Sequence, residues 1–233
     1  MTEKSAEATR DRLVRAAAEL LAEGGRDAVS TRAVSAAAGV QAPTLYRLFG
    51  DKDGLLEAVA AHGFAEYLTD KVALGESADP VEDLRRGWDL HVQFGLTHPA
   101  FYLLMYGDPK AGASSAAGKE AENKLRRIVQ RIAEAGQLRV SVSRGAELVH
   151  ATGKGVVLTL IGTPEDERDM EFAAAAREHV ISSITTGGQA LGDTDVPARA
   201  AGLAAALRSD PVAALSGTEQ ALLVEWLDRI ADA

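Results

Sequence analysis

The sequence predicts an all-α protein of two parts, a small amino-terminal three-helix domain and a larger carboxy-terminal helical bundle. Apolar residues recur at helical spacing, as in the stretch 13–21, and Gly and Pro stand at the breaks between such stretches. The 233 residues are 46% hydrophobic, which is enough for a sizeable core. We expect domains at residues 1–50 and 75–233, joined by a connecting helix at about 51–74.

The first two helices are predicted from their end signals. The first runs from about 9 to 23 and ends at Gly24-Gly25, as glycine favours helix C-termini. Ser30 has the side chain of an N-cap for the second helix. That helix is expected to turn Val34, Ala37 and Ala38 inward and to end at Gly39, which accepts positive φ.

The third and fourth helices follow without a long loop. The third begins near Ala42, with a proline in its first turn, and Leu45, Leu48 and Phe49 share its inner face. Asp51 is expected to cap the connecting helix. A helix, a tight glycine turn and a second short helix together are the plan of a helix-turn-helix.

Seven further helices are predicted for the body. Their expected bounds are about 80–97, 99–106, 115–135, 143–161, 167–186, 197–208 and 217–231. The run "RVSVS" is interpreted as a loop leading into a helix, because one strand has no partner. The run "KGVVLTLIG" is interpreted as a buried helix, and "GKG" within it as small residues that permit close helix packing.

The third helix carries groups suited to reading DNA on the side opposite its apolar face. Gln and Arg can bond adenine and guanine in the major groove, and a Thr methyl can touch a thymine methyl. The expected base-contacting residues are Gln41, Ala42, Pro43, Thr44 and Arg47. The expected phosphate-contacting residues are Thr31, Arg32, Tyr46 and Lys52. The net charge is −9, but residues 26–52 hold four basic and two acidic residues, a local charge of +2 that permits phosphate contact.

The stretch from about Thr9 to Tyr67 resembles the DNA-binding region of the TetR (tetracycline repressor) family of bacterial transcription regulators. The matching pieces are "AAAELLAEGG", "STRAVSAAAGV", "PTLYRLF" and "DKDGLL". The departures are small: Val34-Ser35 stands where the family often has Ile-Ala, Gly50-Asp51 where Ser or Asn before Lys is common, and Leu48 where an aromatic is common. The resemblance implies a divergent helical body that dimerises and encloses an effector pocket.

The body holds candidates for both of those roles. The segment 88–107 contains seven of the sixteen aromatic and histidine residues, and a small-molecule site is usually apolar with a few polar groups. The candidate effector-pocket residues are Trp88, His91, Phe94, Tyr102, Met105, Tyr106 and His150. The candidate dimer-interface residues, chosen partly by family analogy, are Val149, Gly153, Val156, Val157, Leu160, Val180 and Ile184.

These patterns predict a DNA-binding transcriptional regulator rather than an enzyme. With no cysteine, thiolate catalysis and disulfides are excluded, and the five histidines lack metal-ligand spacing, so no metal or other cofactor is expected. No leader or membrane-spanning run is seen, which predicts a cytoplasmic protein without membrane contact. We expect a homodimeric repressor of a palindromic double-stranded DNA operator, released by a small, largely apolar effector. An activator, and a helical small-molecule-binding protein or enzyme without DNA binding, remain the alternatives.

Overall fold

The chain is all-α in the computed structural model, which describes residues 3–73, 75–107, 116–187 and 195–233. The helices of these ranges are α1 (Glu3–Ala28), α2 (Thr31–Ala37), α3 (Ala42–Phe49), α4 (Lys52–Ala73), α5 (Pro80–Thr97), α6 (Pro99–Tyr106), α7 (Ala116–Glu134), α8 (Val142–Ile161), α9 (Met170–Ile184), α10 (Val196–Ser209) and α11 (Gly217–Ala231). The predicted all-α class and the helical state of "KGVVLTLIG" are confirmed.

The first helix is longer than predicted. It begins at Glu3, since the residues before Thr9 are good helix formers. Its backbone leaves helical geometry at Gly24 and at Gly25, where φ is 66°, and one further turn follows to Ala28. The glycine break was therefore predicted correctly, and it forms a kink between α1's main part and its last turn.

Helix α9 is shorter than predicted, because polar groups fix both of its ends. The Asp169 carboxylate accepts a hydrogen bond from the Phe172 backbone N–H at 3.1 Å, so the helix starts there. At the other end Thr185 forms an antiparallel bridge with Leu138. That bridge lies just before the "RVSVS" run, which passes into α8 as the predicted loop.

The chain divides into two compact units. One contains Met1–Ala73 and Gln93–Ala121, and the other contains Leu74–Val92 and Glu122–Ala233. Helix α5 contributes residues to both units. In the first unit, α6 packs on α1 and α4. The predicted functional division at residues 50 and 75 stays a prediction.

Close helix contact in the first unit occurs at Gly63. A Cβ at this position would lie 2.7 Å from Cδ1 of Phe101 on α6, so glycine lets that ring approach α4 closely. Leu13, Leu45 and Leu55 are fully buried and complete the core around α1, α3 and α4. About 1.5–3 kcal/mol is gained for each side chain of this size that is fully buried.

A buried carboxylate organises one part of the second unit. Asp83, in the first turn of α5, is 4% exposed and accepts the Arg131 Nη1–H at 2.6 Å and the Ser77 backbone N–H at 3.0 Å. Arg86 forms a further ion pair with it. Burial acts to raise the pKa of Asp83. Hydrogen bonds from Ser77, Arg131 and Arg86 outweigh that effect and hold its pKa well below the usual range.

Among the described helices, none combines the length and the hydropathy needed to cross a bilayer.

Candidate nucleic-acid interface

The turn between α2 and α3 is built by end signals that the sequence displays. The Ala33 backbone N–H donates to the Ser30 hydroxyl oxygen at 3.1 Å, which confirms Ser30 as the N-cap of α2. Gly39 has φ of 65°, and the Val40 N–H donates to the Ser35 carbonyl at 2.9 Å across the end of the helix. The chain then turns sharply enough to start α3 at Ala42.

Helix α3 turns its apolar side inward and its polar side out. Leu45 is fully buried, while Leu48 and Phe49 are half-buried. Val34 of α2 is also fully buried, but Ala37 is exposed and Ser35 is buried in its place. The prediction for Ala37 was wrong, because a helix of two turns is too short for its sequence pattern to show which side faces the core.

The junction between α3 and α4 is tight. Gly50 caps α3 with φ of 80°, and the Gly54 N–H donates to the Asp51 carboxylate at 2.8 Å, which confirms Asp51 as the cap of α4. A Cβ at Gly54 would lie 2.2 Å from the Phe49 carbonyl oxygen. This requirement for glycine was not predicted, since a glycine inside a helix gives no such signal in one sequence.

The candidate base-contacting residues form the outward side of α3. Gln41 has an extended backbone as the N-cap residue, with its side chain exposed. Pro43 and Arg47 are exposed and Thr44 and Ala42 are half-buried, so none of the five is enclosed by neighbouring helices. A side chain on this face can reach a base edge, as the second helix of a helix-turn-helix does in the major groove.

Two candidate phosphate-contacting residues are linked to each other. The Tyr46 hydroxyl donates to Thr31 Oγ1 at 3.4 Å, which joins the outer side of α3 to the start of α2. Tyr46 is 49% exposed. Arg32 is exposed and Lys52, the first residue of α4, is half-buried. These groups border α3 on two sides, where phosphate contact fixes the register of a protein on DNA.

A further cation lies at the end of α3. The Arg10 guanidinium carbon of α1 stands 5.2 Å from the centroid of the Phe49 ring. A cation over an aromatic face is attracted by the ring. Sequence spacing did not predict this contact, because the two residues are far apart in the chain.

The candidate effector residues fall in both units. Trp88, His91 and His150 belong to the second unit, in which His91 and His150 are half-buried and Trp88 is 4% exposed. A Cβ at Gly153 would lie 3.4 Å from Cζ3 of Trp88 and 3.5 Å from Cδ2 of His91. Close packing at the first glycine of "GKG" is thus confirmed, whereas Gly155 is exposed with open space beside it.

The remaining candidates belong to the first unit. Phe94, Tyr102 and Met105 are buried and Tyr106 is half-buried, with the Tyr102 and Tyr106 rings 4.7 Å apart. Tyr67 of α4 was missed, although it is 1% exposed and its ring lies 4.8 Å from that of Phe94. Burial, and next the neighbouring Tyr106, raise the pKa values of Tyr67 and Tyr102. Both phenols are therefore neutral donors at physiological pH.

The candidate dimer residues are covered within the single chain. The side chains of Val149, Val156, Val157, Leu160, Val180 and Ile184 are each at most 5% exposed, and Gly153 is buried. Their burial serves the contact between α8 and α9 and the core of the second unit. An interface on these helices has to use their outward faces.

Comparison with known proteins bears on what this arrangement does. Residues 13–59 match the family model described as bacterial regulatory proteins of the tetR family, and this range contains the whole helix-turn-helix. The helix-turn-helix domain is that of the TetR family. The chain is a DNA-binding transcriptional regulator, of a class of regulatory proteins that are not enzymes.

Solved structures support the TetR fold over most of the chain. A TetR-family regulator, PfmR from Thermus thermophilus, is 26% identical with a TM-score of 0.52, covering 74% of this chain and 98% of that one. A protein of unknown function from Rhodococcus sp. RHA1 is 26% identical with a TM-score of 0.63, covering 76% and 96%. A TetR-family regulator from Pectobacterium atrosepticum is 22% identical with a TM-score of 0.60, covering 78% and 93%. No curated protein matches the chain.

Proposed function

We propose that this regulator is a cytoplasmic, ligand-responsive repressor that binds a palindromic operator as a homodimer. The observation that carries the proposal is the outward side of α3, where Gln41, Pro43 and Arg47 are exposed while Leu45 on the opposite side is fully buried. Gln41 and Arg47 bond base edges, Thr44 and Pro43 give apolar contact, and Ala42 leaves room for close approach.

The phosphate contacts come from the border of the same surface. Thr31 and Tyr46 are already linked by a hydrogen bond, so their hydroxyls are held in place before DNA binds. Arg32 and Lys52 add positive charge on either side of α3. Phosphate contacts of this kind carry most of the affinity and its salt dependence.

Two copies are needed because one short helix contacts few bases. Two recognition helices spaced by one turn of DNA, about 34–36 Å, read two half-sites of a palindrome. The outward faces of α8 and α9 suit the pairing, since small residues on them permit close helix approach. The residues of these faces are Ala151, Gly155 and Thr159 on α8 and Ala175, His179 and Ser182 on α9, bordered by exposed Leu148 and Phe172.

The effector is proposed to be small and largely apolar. Phe94, Tyr102, Met105 and Tyr106, with Tyr67 beside them, supply an apolar and aromatic surface with phenol donors, and Trp88, His91 and His150 are the candidates of the second unit. An effector favouring a state unsuited to DNA needs a coupling of about 1–3 kcal/mol between the two sites.

The test is selection of bound duplexes from a random pool by the full chain. The expected result is a two-fold symmetric consensus that changes at defined positions with Gln41→Ala or Arg47→Ala. The control variant is Ala221→Ser, an exposed substitution on α11. An asymmetric consensus, or one unchanged by both α3 variants, contradicts the proposal.

A further inference from the structure

Helix α11 presents an apolar stripe to solvent. Leu222, Trp226 and Ile230 follow one another at intervals of four residues and are 44%, 51% and 42% exposed. Four residues are close to one helical turn, so the three side chains lie on one face. Of the eleven large hydrophobic residues exposed in the described ranges, six lie within 196–230. Exposed apolar area of this concentration marks an interaction surface.

The opposite side of α11 is anchored to its own chain. The Gln220 side-chain amide donates to the Leu207 carbonyl at 2.7 Å, and Asp228 forms an ion pair with Arg208. Leu227 packs against the small core cluster formed by α10 and α11. The exposed stripe therefore belongs to a held helix rather than to a loose end.

The end of α11 is fixed as well. The Asp232 carboxylate accepts the Ser141 backbone N–H at 2.8 Å and the Ser141 hydroxyl at 2.9 Å. Ser141 is also the N-cap of α8, since its hydroxyl oxygen accepts the Arg144 N–H at 3.2 Å. Both ends of α11 are tied down, and a pre-ordered face loses little entropy on binding.

We propose that this stripe binds the same stripe of a second copy, with the two α11 helices antiparallel and a two-fold axis beside Trp226. The spacing is self-complementary, because Leu222 and Ile230 stand at equal distances on either side of Trp226. An isologous contact brings Leu222 of one protomer to Ile230 of its partner, and the two Trp226 rings together.

The charges along one flank fit this antiparallel pairing. Glu225 and Arg229 are four residues apart on the same side of the stripe and form an ion pair within the helix, with both side chains more than half exposed. Reversal of the second helix sets each Arg229 about 3 Å along the axis from the Glu225 of the other copy and about 9 Å from the other Arg229, while the two Glu225 residues lie about 3 Å apart along the axis, so each Arg229 has a carboxylate as its nearest charge across the contact. Exposed pairs of this kind contribute little affinity, so their role is to select the register.

The charge of α11 also distinguishes a second copy from a lipid surface. Within Gly217–Ala231 there are three acidic residues and one basic residue. Helices that lie on anionic membranes are rich in Lys and Arg on their polar face. An acidic helix with an apolar stripe is better suited to contact the same helix of a second copy than an anionic membrane.

The absence of cysteine from the sequence permits a direct test. Full-length Leu222→Cys and Ile230→Cys chains are oxidised with glutathione disulfide, each alone and as an equal mixture. The mixture is expected to form disulfide-linked dimers at least tenfold faster than either variant alone. In the antiparallel register, residue 222 of each copy lies about 12 Å along the axis from its counterpart, too far for a disulfide.

Two controls separate this contact from random collision and from DNA binding. Ala221→Cys, exposed on another side of α11, is expected to cross-link no faster than a random encounter, and adding Trp226→Ala is expected to slow the mixed pair. A gel-shift of the same variants reports the α3 surface separately. Loss of DNA binding in the gel-shift would contradict the proposed DNA-binding function. Absence of cross-linking would contradict only the α11 contact.

A second pair of variants tests the register. In the cysteine backgrounds, Glu225→Arg alone and Arg229→Glu alone each place like charges together and slow cross-linking by about threefold, while a mixture of the two restores the rate. Preferred self-linking of Leu222→Cys indicates parallel helices and overturns the proposal. Equal rates for all pairs, or no cross-linking, assign the stripe to a different partner and overturn it too.

Discussion

Ser35 is a buried hydroxyl of the helix-turn-helix. It is 5% exposed, and its Oγ has no hydrogen-bond partner among the described residues. Because an unsatisfied buried hydroxyl costs about 1–3 kcal/mol, Ser35→Ala is expected to raise the free energy of unfolding by about 1 kcal/mol. Urea denaturation measures the change.

The matched variant is Ser30→Ala, which removes the N-cap of the same helix and is expected to lower the free energy of unfolding by about 1 kcal/mol. A loss of stability in Ser35→Ala as large as that in Ser30→Ala contradicts the account of Ser35.

The proposed DNA-contacting residues are expected to divide into two roles that binding experiments separate. Arg47→Ala is expected to cost about 1–3 kcal/mol on the preferred sequence and to relax base preference at one position. Lys52→Ala is expected to weaken binding to all sequences and to lower the slope of log K against log salt by about 1. Fluorescence anisotropy on specific and random duplexes, over a range of salt, gives both quantities. Equal losses on both duplexes for Arg47→Ala contradict base reading.

At the scale of the helices, Gly54 fixes how α4 starts beneath the end of α3. An added Cβ would meet the Phe49 carbonyl oxygen at 2.2 Å, and backbone cannot yield as a flexible side chain does. Gly54→Ala is expected to destabilise the protein by about 2 kcal/mol and to weaken DNA binding by displacing α3. Urea denaturation and gel-shift report the two effects.

The control for this variant is Gly87→Ala in α5, where the added Cβ would meet only Ile128 Cδ1, at an ordinary 4.0 Å. Alanine is the better helix former, so a gain of about 0.5–1 kcal/mol is expected. Similar losses for the two variants count against the close contact at Gly54.

The ion pairs of Asp83 join α5, α7 and the segment before α5. Asp83→Asn is expected to lower the free energy of unfolding by about 3 kcal/mol at neutral pH, because it removes the buried carboxylate charge that pairs with the partly buried Arg131 and Arg86. Asp89→Asn, at an ion pair whose carboxylate is 60% exposed, is the control and is expected to cost less than about 1 kcal/mol.

This stabilisation depends on pH with a defined sign. The pKa of Asp83 is lower in the folded chain than the unfolded value of about 3.9, so the stabilisation is fully present above that value. It is lost as the pH falls toward the folded pKa, when Asp83 takes up a proton. Wild type and Asp83→Asn should therefore converge in stability below about pH 4. A difference that stays constant down to pH 2 excludes this origin.

The helices were predictable from the sequence, while the contacts between them were not. Periodicity and the Gly or Pro breaks predicted α5 and α6 with their observed bounds. Ser30 and Asp51 were recognised as N-caps because Ser and Asp are common at helix N-termini. The contact of the Tyr67 ring with Phe94 and the contact of Arg10 with Phe49 depend on tertiary packing, which residue spacing does not encode. For the same reason, α8 and α9 residues that suggested an interface proved to be the core of one chain.

At the scale of the whole molecule, the proposed function requires two copies of the chain to present their α3 helices together. If the outward faces of α8 and α9 form the pairing surface, Ala175→Arg places a long cation among small residues and is expected to raise the dimer dissociation constant at least tenfold. Sedimentation velocity measures the constant, and affinity for a full palindrome should fall with it while affinity for a half-site is unchanged. Ala221→Arg on α11 is the control. A dimer that is unaffected by Ala175→Arg locates the pairing elsewhere.

The two tryptophans of the sequence differ sharply in their surroundings, since Trp88 is 4% exposed beside Gly153 and Trp226 is 51% exposed. The indole fluorescence of the protein therefore has two components, one from the buried Trp88 and one from the solvent-exposed Trp226. A water-soluble quencher such as iodide quenches the emission of Trp226 and leaves that of Trp88 almost unchanged. No attached dye is needed. The emission that iodide does not quench reports on the packing around Trp88, and the emission that it does quench reports on contacts that cover Trp226 on α11.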